Sequence, residues 1–266
     1  MKINLSICSW NIWQLPFMLT KFSGGVKRWK NIYRICESEL FEDITFFCFQ
    51  EIWNRQYRSD LIELSEKYLY HKSNKNDSDV NWKFNGGLLT LSKWCYCESY
   101  FVPFDNRGYY ADYFADKGFY VCKLQIPKKN RYIWIINTHI QSISNTFTIS
   151  MLEKCQHDQL QQIMDHVSHI SKKKSIGVFL VGDLNFSVMN SETHANYNLL
   201  IRSGWMDLTE AIATYENMRF DYIWFLPNIA CKISTTCINM LGENRKYSDH
   251  IGIVYNFNIH IKKEKK

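Results

Sequence analysis

Apolar runs too short to be buried helices recur along the whole chain: INLSICSWNIW from residue 3, ITFFCFQE from 44, RYIWIINTHI from 131, SIGVFLVGDLN from 175, FDYIWFLP from 220 and IGIVYNFNI from 251. They are rich in β-branched and aromatic residues, which makes them strands rather than helix segments. The first alternates Ile3, Leu5 and Ile7 with polar or small residues, as a half-buried strand does. Between the runs, VKRWKNIYRICESEL places Val26, Trp29, Ile32, Tyr33 and Cys36 on one helical face. MLEKCQHDQLQQIMDHVSHI does the same with Met151, Leu152, Cys155, Leu160, Ile163, Met164 and Val167. Strands interleaved with helices predict an α/β fold. The polar stretch KSNKNDSDVN (72–81) is expected to be a loop rather than a domain boundary, and no internal repeat or Pro/Gly/Ser linker divides the chain.

The 266 residues are 46% hydrophobic, enough for a sizeable core in one large domain or two small ones. A net charge of +6, with clusters at Lys172–Lys174 and in the tail IKKEKK, suits an anionic partner, although a solvated loop and terminus account for both clusters equally simply. Nine cysteines contain no C-x-x-C spacing, and Cys8, Cys48 and Cys122 fall inside apolar strands as small hydrophobes. That usage favours a reducing compartment. MKINLSICSWN is a poor signal peptide, and no run approaches the ~18 apolar residues of a spanning helix. The expected setting is cytoplasmic or peripheral to a membrane, with leaderless export as the other route.

The strand ends carry the chemistry. They read Trp10-Asn11, Gln50-Glu51, Asn137-Thr138-His139 and Gly182-Asp183-Leu184-Asn185, and Ser248-Asp249-His250 stands immediately before the last strand. A lone Asp or Asn after a strand is ordinarily a turn former. Five such sets, with a Glu, two Asp and two His among them, form a kit for metal-assisted hydrolysis of a phosphate ester: a carboxylate for Mg²⁺, imidazoles for protons and amides for oxygens. In α/β folds, side chains delivered to a common rim by strand ends are where sites are built.

WN at 10–11, QE at 50–51, NTH at 137–139, GDLN at 182–185, DYI at 221–223 and SDH at 248–250 together resemble the signature of the endonuclease/exonuclease/phosphatase superfamily. The resemblance implies an α/β four-layer sandwich of two mixed β-sheets flanked by helices, a single catalytic domain over residues 1–260 followed by a basic tail at 261–266. Carried over motif by motif, it implies Glu51 as the principal ligand of Mg²⁺ (Mn²⁺ as the alternative), with Asn11 beside it. His250 would be the general base and Asp221 its orienting partner. Asp183 and Asn185 would position the nucleophile and phosphate oxygens, His139 would donate to the phosphate, and Asp249 would complete the metal shell or orient its neighbour.

Within the superfamily, SWNIWQLPF (9–17), FQEIW (49–53) and YYADYFADKGF (109–119) resemble the neutral sphingomyelinases. Lys117, followed by a glycine and a strand, would be a mobile cation for a phosphate oxygen, and Asp112 the partner that holds it in or out of position. Gln14 stands where that group often has Gly, and the leader of its secreted bacterial members is missing. The implied activity is a Mg²⁺-dependent phosphodiesterase that hydrolyses sphingomyelin, or a related choline phospholipid, to phosphocholine and ceramide at a membrane surface. A nuclease or phosphoinositide phosphatase of the same superfamily is the alternative, with nucleic acid a partner in that case alone; mild basicity disfavours a groove tracking several phosphates. Candidate interfacial aromatics are Phe17, Phe22 and Trp29, or the stretch WFLPNIACKI (224–233), each of which is more often a core residue than an anchor.

Overall fold

Period-two alternation decides which way each strand faces, and the strands it predicts are present in the computed structural model. Described are residues 1–15, 19, 24–37, 41–67, 71–72, 86–143, 148–170, 172–189, 194–242 and 246–262, with Phe41, His71, Lys72 and His194 described by backbone alone. In the first sheet, β1 (Lys2–Gln14) pairs antiparallel with β12 (Gly252–Ile261) and parallel with β2 (Phe46–Ile52). With β4 (Leu89–Ser92), β3 (His71–Lys72) and β11 (Cys231–Leu241) the order is β11-β12-β1-β2-β4-β3. The second sheet runs β5 (Tyr96–Pro103), β6 (Gly118–Gln125), β7 (Tyr132–His139), β8 (Ser175–Asp183), β10 (Asp221–Pro227), β9 (Met206–Asp207), and its parallel pair is β7 with β8. Both sheets are mixed.

Ile3, Leu5 and Ile7 on β1, Phe46 and Cys48 on β2, Ile133 and Ile135 on β7, Phe179 and Val181 on β8, and Ile223 and Phe225 on β10 pack between the sheets. The residues alternating with them face outward. Cys8, Trp10, Ile12, Phe47 and Phe49 pack against Trp29 and Ile32 of α1 (Gly25–Ile35) and Leu61 and Leu64 of α3 (Arg55–Glu66). Val178, Leu180, Tyr222 and Trp224 meet Leu160, Ile163 and Val167 of α5 (Ile149–His169) and Leu200 of α6 (His194–Arg202). The result is the expected single domain of four layers; two short helical turns, α2 (Phe41–Asp43) and α4 (Ala111–Phe114), complete the set. The predicted helical stripes hold except in their first turns, where Val26 and Met151 are exposed.

Two of the longer strands missing from the sequence reading lack an apolar run. β5 is half-buried and β11 mostly exposed, so neither needed one. Of the interfacial candidates, the described aromatics take the core position that the sequence favoured for them. Trp29 is buried and stacks on Tyr57 with centroids 4.4 Å apart, and Trp224 and Phe225 are interior. Phe17 and Phe22 lie outside the described residues, as does most of the basic tail. No helix among the described residues is long and apolar enough to cross a membrane.

Candidate active site

The inward faces change from apolar to polar at one end of the sandwich. On β1, Ile3, Leu5 and Ile7 are followed on the same face by Ser9 and Asn11; on β7, Ile133 and Ile135 are followed by Asn137 and His139; on β8, Phe179 and Val181 are followed by Asp183. β10 runs the other way and begins with Asp221 before Ile223 and Phe225. Asn11, His139, Asp183 and Asp221 therefore meet between the sheets at a single rim, and Glu51, whose left-handed backbone breaks the alternation of β2, joins them there with Asn185 and His250 from the adjoining loops. A one-residue slip of β1 would carry Asn11 to the helix side.

Gln50 and Asn137 belong to the same motifs but serve the scaffold. Gln50 Nε2 donates to Asn137 Oδ1 at 2.8 Å, and Asn137 Nδ2 donates to the Phe49 and Leu89 carbonyls at 3.1 and 3.2 Å. This buried amide pair joins the two sheets directly beneath the rim. Gly182 has a similarly structural reason: at φ 141° its backbone passes so close to β7 that a Cβ would stand 1.9 Å from the Thr138 carbonyl oxygen.

Asn11 ties the carboxylates together. Its Nδ2 donates to Glu51 Oε1 at 2.9 Å and to Asp183 Oδ2 at 3.0 Å, and its Oδ1 accepts from the Trp13 amide at 3.1 Å. Glu51 and Asn185 hold left-handed backbone conformations, φ 56° and 47°. Such conformations in non-glycine residues persist where the surroundings over-determine them, often at functional sites. Asn185 is locked by its own amide donating to Asp183 Oδ1 at 3.0 Å and by Nδ2 donating to the Ile140 carbonyl at 3.3 Å.

The two histidines differ sharply. His250 Nδ1 donates to Asp221 Oδ2 at 2.9 Å, while Nε2 faces Asp183 Oδ2 at 3.5 Å. Burial alone would lower its pKa, but Asp221, Asp183 and Asp249 overcome this and lift it to about 10. Asp221 is fixed in turn because the Thr214 hydroxyl accepts its backbone amide at 3.1 Å. Ser248 Oγ donates to the Asn11 carbonyl at 2.7 Å and accepts the His250 amide at 3.1 Å, linking β1 to the histidine.

His139 is pushed the other way, well below the ordinary histidine value, by burial and by the charges of Lys117 and His250. Lys117 Nζ donates to His139 Nε2 at 3.1 Å and to the Ile140 carbonyl at 2.8 Å, and pairs with Asp112 Oδ1 at 2.9 Å. All three ammonium hydrogens are engaged. Lys117 is thus held within the site but turned onto the protein, and His139 presents Nε2 as an acceptor, leaving its buried Nδ1 without a partner among the described residues. Asp112 is secured by the amide and hydroxyl of Ser142, at 2.7 and 2.8 Å.

Burial raises the Glu51 carboxyl to about 7 and Asp183 to about 6, the second despite the neighbouring imidazole. Two closely spaced carboxylates, Asp183 buried and Glu51 half-buried, bridged by one amide, are a donor set of the kind a hard divalent cation takes. Asp183, Asp221 and His250 also bring ligand-capable atoms within 4.8 Å of one another. His250 Nδ1 is already committed to Asp221, so that triple serves better as an acid–base chain, and the Glu51–Asn11–Asp183 side better as the cation pocket.

Several contributors escaped the sequence reading. Arg28, inside the predicted α1, is buried against the Trp13 ring at 3.9 Å and lies within charge range of Asp249 and Glu51. An arginine beside the buried stripe of a helix was its one signal. Thr214 and Ser142 had none, since hydroxyl residues in loops are common; Ser248 stood inside the SDH motif without a role assigned to it. Tyr215 places its ring 4.9 Å from that of His250.

No family model matches the chain. Among curated proteins, it is 26% identical over 253 residues to Sphingomyelinase C 2 of Leptospira interrogans serogroup Icterohaemorrhagiae serovar Lai, covering 84% of this chain and 39% of that protein. It is 27% identical over 110 residues to Sphingomyelinase C of Bacillus cereus, covering 41% of this chain and 32% of that protein. The matches thus span under half the length of these relatives. Among solved structures, SmcL superposes with a TM-score of 0.75 at 20% identity, covering 96% of this chain and 98% of the other. A beta toxin variant from Staphylococcus aureus with bound magnesium ions gives 0.74 at 18% identity, covering 98% and 100%. TDP2 of D. rerio, complexed with a single strand DNA product, gives 0.65 at 16% identity, covering 96% and 98%. At these identities the structures establish that this chain shares the fold of these proteins.

Proposed function

We propose that this chain is a divalent-metal-dependent phosphodiesterase that hydrolyses sphingomyelin, or a related choline phospholipid, to phosphocholine and ceramide. The observation that carries the chemistry is the buried His250–Asp221 pair facing Asp183 across the rim from Glu51. The substrate class is favoured by the sphingomyelinase relatives. Glu51 and the free lone pair of Asn11 Oδ1 would hold Mg²⁺ or Mn²⁺, with Asp249 close by. Bound there, the ion would draw charge from the phosphate oxygens and offset the carboxylates that hold His250 protonated.

The remaining steps belong to the chain's own groups. His250 Nε2, neutral in the reactive state, takes a proton from a water directed at phosphorus, while Asp221 keeps the Nδ1–H tautomer and stabilises the imidazolium that forms. Asp183 and Asn185 orient that water and a phosphate oxygen. The oxygen–phosphorus bond forms as the phosphorus–oxygen bond to the ceramide moiety breaks, the departing oxygen taking a proton from solvent and His250 returning its own to solvent. Lys117 and His139 stabilise the developing charge, which requires the lysine's hydrogen bond to His139 to be exchanged for a phosphate oxygen and the freed ring to take the Nε2–H tautomer.

The test is phosphocholine release from sphingomyelin vesicles with and without Mg²⁺, run beside plasmid nicking and a His250→Ala control. Metal-dependent release abolished by the substitution is the expected result. Untouched vesicles with nicked plasmid would retain the site and move the substrate to nucleic acid. Silence in both assays would remove the phosphodiesterase assignment for these substrates and the role given to Lys117.

A further inference from the structure

The aromatics weighed as interfacial candidates from the sequence are interior where they are described, yet large apolar side chains do stand exposed on the flank of the site. Phe114 is 73% exposed, Tyr110 67% and Tyr113 52%, and the first two are the most exposed large hydrophobic side chains among the described residues. The rings of Tyr113 and Phe114 meet edge-on with centroids 5.3 Å apart. Contiguous exposed aromatics on a folded surface mark a partner or a membrane.

These residues sit on or beside α4, a helical turn whose other face is fixed. Asp112 is buried there, with one oxygen on Lys117 and the other on Ser142. The carboxylate that holds Lys117 against His139 therefore also points the aromatics outward. Ile143, next to Ser142 in the chain, is also partly exposed.

We infer that α4 and its flanking residues are the element that docks this protein on a zwitterionic phospholipid surface, an inference that rests on the proposed phospholipid substrate. Three observations select this occupant. Tyrosine and phenylalanine rings partition to the headgroup level of a bilayer, the tyrosines with hydroxyls toward water. The charges nearest the turn in sequence, Asp105, Arg107 and Asp116, nearly cancel, so there is no basic excess to select an anionic surface. The path Asp112–Lys117–His139 runs directly from the turn to the rim, so insertion of the rings places the rim at the depth of the phosphates.

The test is sedimentation of the metal-free protein with vesicles of pure phosphatidylcholine, comparing wild type with a Tyr113→Ala/Phe114→Ala double variant. Binding should weaken by about tenfold or more, the size expected for losing two buried aromatic side chains, and should change little with added salt. Ile238→Ala, at an exposed apolar position on β11, should bind as wild type. Turnover of a short-chain, monomeric choline phospholipid should be unchanged in the double variant, which also shows that it is folded. Wild type failing to bind vesicles, binding abolished by salt, or equal binding by the double variant would each overturn the inference. Vesicle binding through the turn without cleavage of any choline phospholipid would sustain the inference and sink the proposed substrate; cleavage of the short-chain lipid without vesicle binding would do the reverse.

Discussion

His250 and His139 occupy the same rim, both buried, yet the protein treats them oppositely. His250 is surrounded by carboxylates and held protonated to about 10; His139 faces an ammonium group and is held neutral. Burial is common to both and disfavours charge in each, so the sign of the nearest fixed charge decides the outcome. The lesson is that one polar rim can supply a proton carrier on one side and a neutral hydrogen-bonding ring on the other, with Asp183 lying within 3.6 Å of both.

The largest expected effect separates the two rings catalytically. In the proposed reaction His250→Gln removes the proton acceptor and should lower kcat by up to about 10⁴, whereas His139→Gln removes one stabilising contact and should cost about 10². Phosphocholine release at saturating Mg²⁺ measures both. A larger loss at His139 would invert the assigned roles.

Next in size is the charge that distinguishes the two sides. Lys117→Met leaves Asp112 buried without its cation and should destabilise the protein by about 3–5 kcal/mol, read from the urea midpoint. The same change removes one of the two neighbouring charges lowering the His139 pKa, so its ring resonances should titrate at a higher pH. A midpoint equal to wild type would mean that the pair is not closed in solution.

The pH dependence of stability in the metal-free protein should divide in the same way. The His250 pKa is raised on folding, so its contribution is complete below the unfolded value of about 6.5 and is lost as pH rises toward about 10. The His139 pKa is lowered on folding, so its penalty is absent above about 6.5 and grows as pH falls below it. His250→Gln should flatten the alkaline limb of the urea midpoint against pH, and His139→Gln the acid limb. Both substitutions acting on one limb would contradict the opposite shifts.

The rim was legible in the sequence because its residues close apolar strands with fixed alternation: Asp183 follows Phe179 and Val181 on one face, so its direction was already determined. The layers followed from the same runs. What was hidden depends on contacts between segments far apart in the chain. Nothing near Thr214 announces that its hydroxyl will accept the amide of Asp221, and the Gln50–Asn137 pair reads as site chemistry until the two sheets are packed. The aromatic candidates stayed ambiguous for a related reason. Trp29 and Trp224 have the same composition as an interfacial anchor, and burial, which separates the two cases, is a property of the whole fold.

The smallest effect probes whether the lysine side of the comparison acts as a unit. Ser142 gives Asp112 two hydrogen bonds, one from its hydroxyl and one from its backbone amide. Ser142→Ala deletes the first alone, so Asp112 keeps the amide and Lys117, and the loss should be about 1 kcal/mol. Its value lies in where the effect travels. A weaker hold on Asp112 frees the carboxylate to draw Lys117 more strongly, and the three shared contacts on Nζ mean that His139 should lose part of its lysine hydrogen bond. His250, which touches neither residue, should keep its titration. Histidine resonances in Ser142→Ala that move for His139 and stay fixed for His250 would establish two separately tuned halves of one rim; a matching shift at His250 would show instead that Asp183 transmits the perturbation and that the site titrates as one coupled cluster.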